Sequence, residues 1–290
     1  MSSAISLNSP KVWTALITPF TKSGLIDIDQ LLMLIERQAQ VRNGVLLLGS
    51  TGESLALSFS ERVQVIDQVM ASKPTAQVMV GVGGFHLAQT SQWINILNTY
   101  ELAALLLVTP IYAKPGVMGQ VAWFEALLDQ AKHPCMLYHI PSRAGSPLYR
   151  AAVDQLVSHP NFTSVKVSGD GDFSGLRTIQ LYSGDDGHIP QQVDAAGLVS
   201  VASNVWPQGI HDYVNKVLSG TWSDFDQQQL QPIFESLTQA SNPIPVKALM
   251  HDLQITKTDI LRPPLSIKDL PNRQALYHAH EQFMKWHEAQ

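Results

Sequence analysis

The chain has 290 residues, of which 45% are hydrophobic and only 15% are charged, so it can fill a large core and is not a disordered chain. Its formal net charge is -5 and it contains no basic stripe, which argues against a nucleic-acid-binding surface. The single cysteine, Cys135, cannot form an intramolecular disulfide, residues 1–6 lack the features of a signal peptide, and no apolar run reaches the ~20 residues of a membrane span. These features predict a cytoplasmic protein that acts on small molecules, with no nucleic acid or membrane as partner.

Short apolar runs alternate with amphipathic stretches from the start of the chain to about residue 218. The amphipathic stretches predict helices, among them Ile28–Val41, Glu61–Met70, Ala88–Tyr100 and Gln120–Ala131. About eight such units predict an α/β fold with a closed parallel sheet, the (β/α)₈ TIM barrel, and a doubly wound open sheet is the alternative. The predicted strands are Val12–Ile17, Val45–Leu48, Val78–Val82, Ala104–Val108, Cys135–Ile140, Phe162–Val167, Leu181–Tyr182 and Leu198–Val201.

The pattern changes after Ser219, where no further strand is predicted. Ser223–Ala240, Ile244–Asp252 and Asn272–Glu288 are predicted helices separated by prolines. The sequence therefore predicts a barrel domain of residues 1–219 followed by a helical C-terminal region of residues 220–290.

Lys166 interrupts one of the apolar strands, Phe162–Val167. Lysine is unfavourable in strands and is rarely buried without a reason. Burial favours the neutral amine, which can attack a carbonyl carbon and form a Schiff base. The alternative is an edge-strand lysine whose charged end reaches solvent.

Chemistry in a barrel of this kind takes place at the carboxyl ends of the strands. The segment Gly49–Ser54 follows the second predicted strand, and its amides and hydroxyls suit a small carboxylate and a proton relay. The alternative for this segment is a strand-to-helix turn with capping residues.

Tyr138 lies near the end of the fifth predicted strand, Arg143 in the loop after it, and Tyr112 in the loop after the fourth. Tyr138 can pass a proton and Arg143 can bind a carboxylate at two points, and the alternatives are a core tyrosine and a surface arginine. Tyr112 lies between Pro110 and Pro115, either as a second phenol of a relay or as a packed loop aromatic.

No metal and no cofactor is predicted from the sequence. The segment Asp170–Gly175 is similar to the start of a calcium-binding loop, but Leu181 stands where the loop needs a glutamate. The ten histidines do not show the paired spacing of a zinc site on one helix face.

Seven segments occur together in an order that resembles the pyruvate-dependent class I aldolase family of dihydrodipicolinate synthase and N-acetylneuraminate lyase. Each segment alone is weak, but the ordered set spans nearly the whole chain at matching spacings and is specific. The arginine motif and the last segment favour the synthase branch. The segments are Thr14–Phe20, Gly49–Glu53, Val108–Tyr112, Tyr138–Gly145, Lys166, Ser183–Asp186 and Asn242–Lys247.

The resemblance implies four catalytic residues. Lys166 matches the lysine that forms the Schiff base with pyruvate, and Tyr138 matches the tyrosine that shuttles protons there. Ser50 stands where the family usually has a threonine, and its hydroxyl can still link two phenols. Tyr112 matches the phenol that the neighbouring subunit supplies in this family, which implies a homotetramer built from dimers.

The resemblance also implies four substrate-binding residues. Thr51 and nearby amides match the pocket for the pyruvate carboxylate, and Arg143 matches the arginine that holds the second substrate. Gly184 and the backbone of Val199 match residues that line the site.

The implied reaction joins pyruvate to L-aspartate 4-semialdehyde and gives 4-hydroxy-tetrahydrodipicolinate in lysine and diaminopimelate biosynthesis. A lysine-imine is itself an electron sink, so this chemistry needs no metal. Two alternatives stay open, namely a related aldolase that acts on a sugar acid and a barrel without turnover that serves as a binding protein.

The chain departs from the family pattern at several positions. Val167 replaces a usually acidic residue and His139 a usual asparagine, and both are expected to flank the site and to affect rate or specificity. The positions that bind the inhibitor lysine in some synthases are apolar or uncharged here, which predicts weak inhibition or none. They are Phe59, Phe85, Gln89 and Ile111.

Overall fold

The structure, a computed structural model, describes residues 9–290 and contains the predicted closed parallel barrel. Each strand pairs with the next along the chain, and β8 returns to β1 through the register pair Val199 and Trp13. All eight predicted strands are confirmed, with small shifts at their ends. The strands are β1 Val12–Ala15, β2 Gly44–Leu47, β3 Val78–Val82, β4 Ala104–Val108, β5 Cys135–His139, β6 Phe162–Val167, β7 Gln180–Ser183 and β8 Ala195–Ser200.

Ten α-helices accompany the strands in residues 9–290, and the four helices predicted between strands are confirmed. Four short 3₁₀ helices cover Ser54–Ala56, Ile189–Gln191, Ala202–Asn204 and Ile267–Asp269. The α-helices are α1 Ile28–Ala39, α2 Phe59–Ala71, α3 Leu87–Leu97, α4 Val117–Gln130, α5 Pro141–Ala144, α6 Arg150–Leu156, α7 Pro207–Leu218, α8 Asp224–Ser236, α9 Ile244–Asp252 and α10 Arg273–Glu288. No helix among these is long and apolar enough to cross a bilayer.

In residues 9–290, no α-helix stands between β6 and β7 or between β7 and β8. Within the described part of the chain, turns follow β6 and one short 3₁₀ helix, Ile189–Gln191, follows β7. Glycines at 169, 171 and 175 lie in the first connection, two of them at positive φ, and Pro190 lies in the second. Glycine and proline both oppose a regular helix, so these two connections stay irregular.

Two hydrophobic clusters follow from the alternation of side chains along the strands. One fills the barrel interior with residues such as Trp13, Leu46 and Met136, and the other packs the outer strand faces against the helices. Cys135 is fully buried in the outer cluster, and burial raises the pKa of its thiol. The prediction that Cys135 is a core residue is therefore confirmed.

The C-terminal helices pack against the barrel and share its outer core. Leu230 of α8, Leu249 of α9 and Phe283 of α10 belong to the same cluster as the barrel residues. Trp206, just before α7, stacks on Phe283 with ring centroids 4.3 Å apart. The predicted division into two regions at residue 219 stays a prediction. The predicted lack of a signal peptide concerns residues 1–6, which lie outside the described part of the chain.

A buried ion pair ties the C-terminal region to the loop after β2. The Nζ of Lys247 on α9 donates to Glu53, and both side chains are at most 2% exposed. The ammonium also donates to the Ile260 carbonyl at 2.8 Å and lies 4.2 Å from the centroid of the Phe20 ring. Burial lowers the pKa of Lys247 to about 8, while the Glu53 carboxylate opposes that shift. Three of the seven family-like segments therefore meet at this one pair.

We expect Lys247→Met to lower the free energy of unfolding by about 3–5 kcal/mol, because it leaves the Glu53 carboxylate buried without its cation. Denaturant unfolding measures the change. The double variant Glu53→Gln/Lys247→Met should lose less than the sum of the two single variants, since it removes both charges. The matched control is Lys257→Met, because Lys257 pairs with Asp27 at 3.2 Å on the surface and should contribute less than about 1 kcal/mol. Equal losses for the two lysines would contradict the expectation.

Candidate active site

A cavity of about 240 Å³ opens at the carboxyl ends of the strands, where the barrel meets α8. This volume suits small metabolites. Six of the eight predicted site residues line it, namely Ser50, Thr51, Tyr138, Arg143, Lys166 and Gly184. Tyr112 and Val199 do not line it. Gln231 and Glu235 of α8 and Thr238 just after that helix also line the cavity, and the sequence did not predict them.

Lys166 and Tyr138 lie side by side in neighbouring strands. They are register partners between β6 and β5, and they are 5% and 6% exposed. The Nζ of Lys166 lies 4.1 Å from the centroid of the Tyr138 ring. Because strand side chains alternate, Lys166 points inward while Val165 and Val167 join the outer cluster. The prediction of a buried lysine is confirmed, and the edge-strand alternative is excluded.

Ser168 is a site residue that the sequence analysis missed. Its Oγ lies 3.3 Å from the Tyr138 hydroxyl, and the residue is 3% exposed and lines the cavity. Ser168 follows Lys166 by two positions, and the period of two in a strand places it on the same face. That spacing was the signal that could have identified it. Ser50 also lines the cavity. Within residues 9–290, however, the hydroxyl of Tyr138 is hydrogen-bonded to Ser168 and not to Ser50.

Gly184 is required by the crowding around Lys166. A Cβ atom at this position would lie 2.1 Å from the Ser168 Oγ and 2.7 Å from the Lys166 Cε. The amide of Gly184 donates to the Val167 carbonyl at 2.7 Å, which holds it against β6. Any side chain at position 184 would therefore displace the lysine.

Thr51, Asn242 and Arg143 form a polar chain along one side of the cavity. Asn242 Nδ2 donates to Thr51 Oγ1 at 2.8 Å, and Arg143 Nη2 donates to the Asn242 carbonyl at 3.0 Å. Since the Thr51 oxygen accepts, its hydroxyl hydrogen is free for a ligand. Within residues 9–290, the amides of Ser50 and Thr51 donate to no protein acceptor. Such donors in a turn suit a carboxylate.

Asp186 fixes the turn at the end of β8. Its carboxylate accepts hydrogen bonds from the Ser200 hydroxyl and from the amides of Val201 and Ala202 at 3.0 and 3.1 Å. Burial raises the pKa of Asp186, although the Ser200 hydrogen bond opposes this. Asp186 belongs to the family-like segment Ser183–Asp186. The sequence alone indicated no role for Asp185 or Asp186.

The predicted place of Val199 needs correction. Val199 is fully buried in the barrel interior below the cavity, and the residue of this segment that lines the cavity is Val201. Val201 lies two positions further toward the carboxyl end of the strand, where the barrel opens. Alternation keeps the two residues on one face but places Val199 deeper.

Val167 and His139 also lie elsewhere than expected. Neither lines the cavity, because both follow inward-facing residues and point outward. His139 Nδ1 accepts from the Leu148 amide at 3.1 Å, so Nε2 carries the proton and donates to the Asp170 carbonyl at 2.8 Å. Val167 packs in the outer core. These two departures from the family pattern therefore change the packing and hydrogen bonds behind the site and leave the side chains that line the cavity unchanged.

Tyr112 lies away from the cavity of its own chain. It is 87% exposed, adopts a φ of 67°, and its amide donates to the Ala144 carbonyl at 3.0 Å. A non-glycine residue rarely adopts positive φ. The loop after β4 thus presents this phenol outward, and one chain alone does not bring Tyr112 to Tyr138.

Comparison with known proteins agrees with this geometry. The model of the dihydrodipicolinate synthetase family matches residues 8–282. The 4-hydroxy-tetrahydrodipicolinate synthase of Wolbachia pipientis subsp. Culex pipiens (strain wPip) is 43% identical over 97% of this chain and 99% of its own.

Two solved structures have the same architecture. The 4-hydroxy-tetrahydrodipicolinate synthase of Methylacidiphilum fumariolicum SolV has a TM-score of 0.87 and 28% identity, covering 97% of this chain and 98% of its own. The dihydrodipicolinate synthase of Cyanidioschyzon merolae, solved with lysine bound, has a TM-score of 0.86 and 26% identity, covering 96% and 99%. With its barrel, its buried lysine and a family match over nearly its full length, the chain belongs to the dihydrodipicolinate synthetase family.

Proposed function

We propose that this chain condenses pyruvate with L-aspartate 4-semialdehyde and releases 4-hydroxy-tetrahydrodipicolinate, in lysine and diaminopimelate biosynthesis. The observation that carries the proposal is the buried amine of Lys166 against Tyr138, in a cavity with Arg143 at its rim. Relatives that carry this activity in their names cover nearly the whole chain and support the same two substrates.

The reaction begins when the neutral amine of Lys166 attacks the keto carbon of pyruvate. The carbonyl oxygen leaves as water, and a protonated imine remains. This imine draws electrons from the adjacent methyl group, which loses a proton and becomes an enamine. The enamine carbon then attacks the aldehyde carbon of the second substrate, and the aldehyde oxygen takes up a proton. The amino group of the semialdehyde finally replaces Lys166 at the imine carbon, which closes the product ring and frees the lysine.

Residues around Lys166 have separate tasks in these steps. Tyr138, whose ring centroid lies 4.1 Å from the amine nitrogen, carries protons to and from the imine centre through its hydroxyl. The free amides and the hydroxyl of Thr51 bind the pyruvate carboxylate. Arg143 holds the carboxylate of the semialdehyde, since its guanidinium lies at the cavity rim with donors left over from Asn242.

We expect Lys166→Ala to abolish covalent capture of pyruvate, because no other amine occupies that position. Incubation with pyruvate, reduction with borohydride and mass spectrometry of the intact protein detect the adduct. The matched control, Lys257→Ala, removes an exposed lysine and should keep the adduct. An unmodified wild-type chain would overturn the proposed function. Consumption of N-acetylneuraminate in place of aspartate semialdehyde would assign the chain to the sugar-acid branch.

We place this reaction in the cytoplasm. The protein has one cysteine, and its thiol is buried, which suits a reducing compartment and needs no disulfide. Cell fractionation with an antibody against the protein tests this placement, and recovery in an exported fraction would contradict it.

We also propose that the active form is a homotetramer built from dimers, in which Tyr112 reaches the site of the neighbouring subunit. The support is the outward position of Tyr112 and a second, mostly apolar cavity beside Tyr138, lined by Leu55, Val108 and Ile111 among others. An aromatic ring fills such a cavity well, and its hydroxyl can reach a polar rim.

We expect Tyr112→Ala to lower kcat and to weaken subunit association, because one ring serves both purposes. Sedimentation velocity beside the activity assay measures both quantities. The control is Tyr277→Ala, which removes an exposed tyrosine of α10 far along the chain from this loop. A fully active monomer would contradict the assembly.

We further propose that lysine inhibits this chain weakly. The four positions named above line one cavity with Arg62, whose guanidinium lies 5.5 Å from the ring centroids of both Phe59 and Trp93. No residue in the described lining of this cavity is acidic. Apolar rings and a fixed positive charge disfavour a ligand with two ammonium groups.

We expect an inhibition constant for lysine above about one millimolar, weaker than a well-formed small-ligand site provides. Initial rates at increasing lysine concentration measure it. The synthase of Cyanidioschyzon merolae, which was solved with lysine bound, serves as the positive control. An inhibition constant of this chain below about one millimolar would contradict the proposal.

A further inference from the structure

We infer that Ser168 is a positioning residue for Tyr138, and that its hydroxyl holds the phenol in place for proton transfer from within the same subunit. The inference rests on the proposed function, because it assigns a task in that reaction. It gives to Ser168 the contact with Tyr138 that the family resemblance implied for Ser50.

The contact is built by the two strands that carry the reacting pair. Lys166 and Tyr138 are register partners, and Ser168 lies two positions beyond Lys166. The amide of Ser168 donates to the His139 carbonyl at 2.9 Å, so the backbone of Ser168 is fixed beside the strand that carries Tyr138. Its Oγ then lies 3.3 Å from the Tyr138 hydroxyl. Ser168 is thus hydrogen-bonded both to the backbone of His139 and to the hydroxyl of Tyr138.

The position of the Ser168 hydroxyl is further restricted by Gly184. The Oγ occupies space that a Cβ at position 184 would fill, at 2.1 Å from that point. The Lys166 Cε borders the same space at 2.7 Å. One small gap over Gly184 therefore accommodates both the serine hydroxyl and the end of the lysine side chain, which links their conformations.

Other hydroxyls near the cavity do not replace this contact in the described structure. Thr51 is engaged by Asn242, and Tyr112 of the same chain is 87% exposed and does not line the cavity. Ser50 lines the cavity, but within residues 9–290 its hydroxyl makes no hydrogen bond to the Tyr138 hydroxyl. A buried phenol without a partner would carry a desolvation cost and sample more than one orientation. Ser168 removes that freedom.

The test compares Ser168→Ala with wild type and with Tyr138→Phe, using trapped adduct, kcat, KM for pyruvate and thermal unfolding. We expect Ser168→Ala to trap pyruvate fully and to keep KM within about two-fold, while kcat falls about 2- to 13-fold, the range of one lost hydrogen bond. Tyr138→Phe should also keep the adduct and slow turnover by about 10²–10⁴.

The double variant Ser168→Ala/Tyr138→Phe decides between positioning and mere packing. If Ser168 acts through the phenol, adding Ser168→Ala to Tyr138→Phe should not lower kcat further. Equal slowing in both backgrounds, an unchanged kcat in Ser168→Ala, or a loss of adduct with a lowered unfolding temperature would each overturn the inference.

The matched control is Ser164→Ala, which removes a buried hydroxyl from the same strand two positions before Lys166 and outside the cavity lining. It should change kcat by less than about two-fold, because the Ser164 hydroxyl has no hydrogen bond to lose within residues 9–290. If wild type itself traps no pyruvate, the proposed function fails. If wild type turns over normally and the double-variant pattern is absent, only the assignment of Ser168 fails.

Discussion

Below Lys166 the inside of the barrel is mostly apolar, and the rest of the site depends on this layer. Trp13, Leu46 and Met136 supply its apolar side chains, while the Tyr182 hydroxyl donates to the Pro10 carbonyl at 3.2 Å. The lysine side chain is forced upward, against the Tyr138 ring and toward the cavity. A Schiff-base lysine needs this combination, because water must be kept from one side while a keto acid enters from the other.

The upper wall of the site is assembled from distant parts of the chain. Asn242 contacts both Thr51 and Arg143, and Lys247 on the following helix is buried against Glu53. The loop after β2 and the segment after β5 are thereby held by residues that follow the last strand. A carboxylate pocket made of short contacts depends on such fixed partners, since small displacements of donors weaken an oriented site.

Sequence patterns predicted the frame of the molecule better than its contacts. Apolar runs defined all eight strands, since every strand of a covered parallel sheet must be apolar on both faces. Lys166 was recognisable because it breaks such a run, and Tyr138 and Arg143 because they lie at and just after a strand end. Gly184 was identified only through the family resemblance. The inward position of Ser168 follows from the same alternation. A serine after a strand is common, however, and only its contact with the Tyr138 hydroxyl in the folded chain identifies it as a site residue.

The parts that could not be predicted depend on three-dimensional neighbours. Val167 and His139 directly follow Lys166 and Tyr138, but the alternation of side chains along the strands turns both of them away from the cavity. The contribution of α8 to the cavity depends on how the C-terminal helices dock, and no local pattern encodes that. Val199 was expected at the cavity but lies deeper in the barrel than Val201. The depth of a residue below the barrel opening depends on how the strands are staggered in the closed sheet, which the sequence of one strand does not encode.

The order of these elements along the chain matters during synthesis. The amine of Lys166 leaves the ribosome well before Asn242 and Lys247, so a nascent barrel carries its nucleophile before the upper wall exists. The contacts of Asn242 with Thr51 and of Lys247 with Glu53 form only after these last segments are synthesised. Under the proposed function, docking of the final helices therefore completes the wall beside the amine, and the finished fold determines which carbonyl compounds reach it.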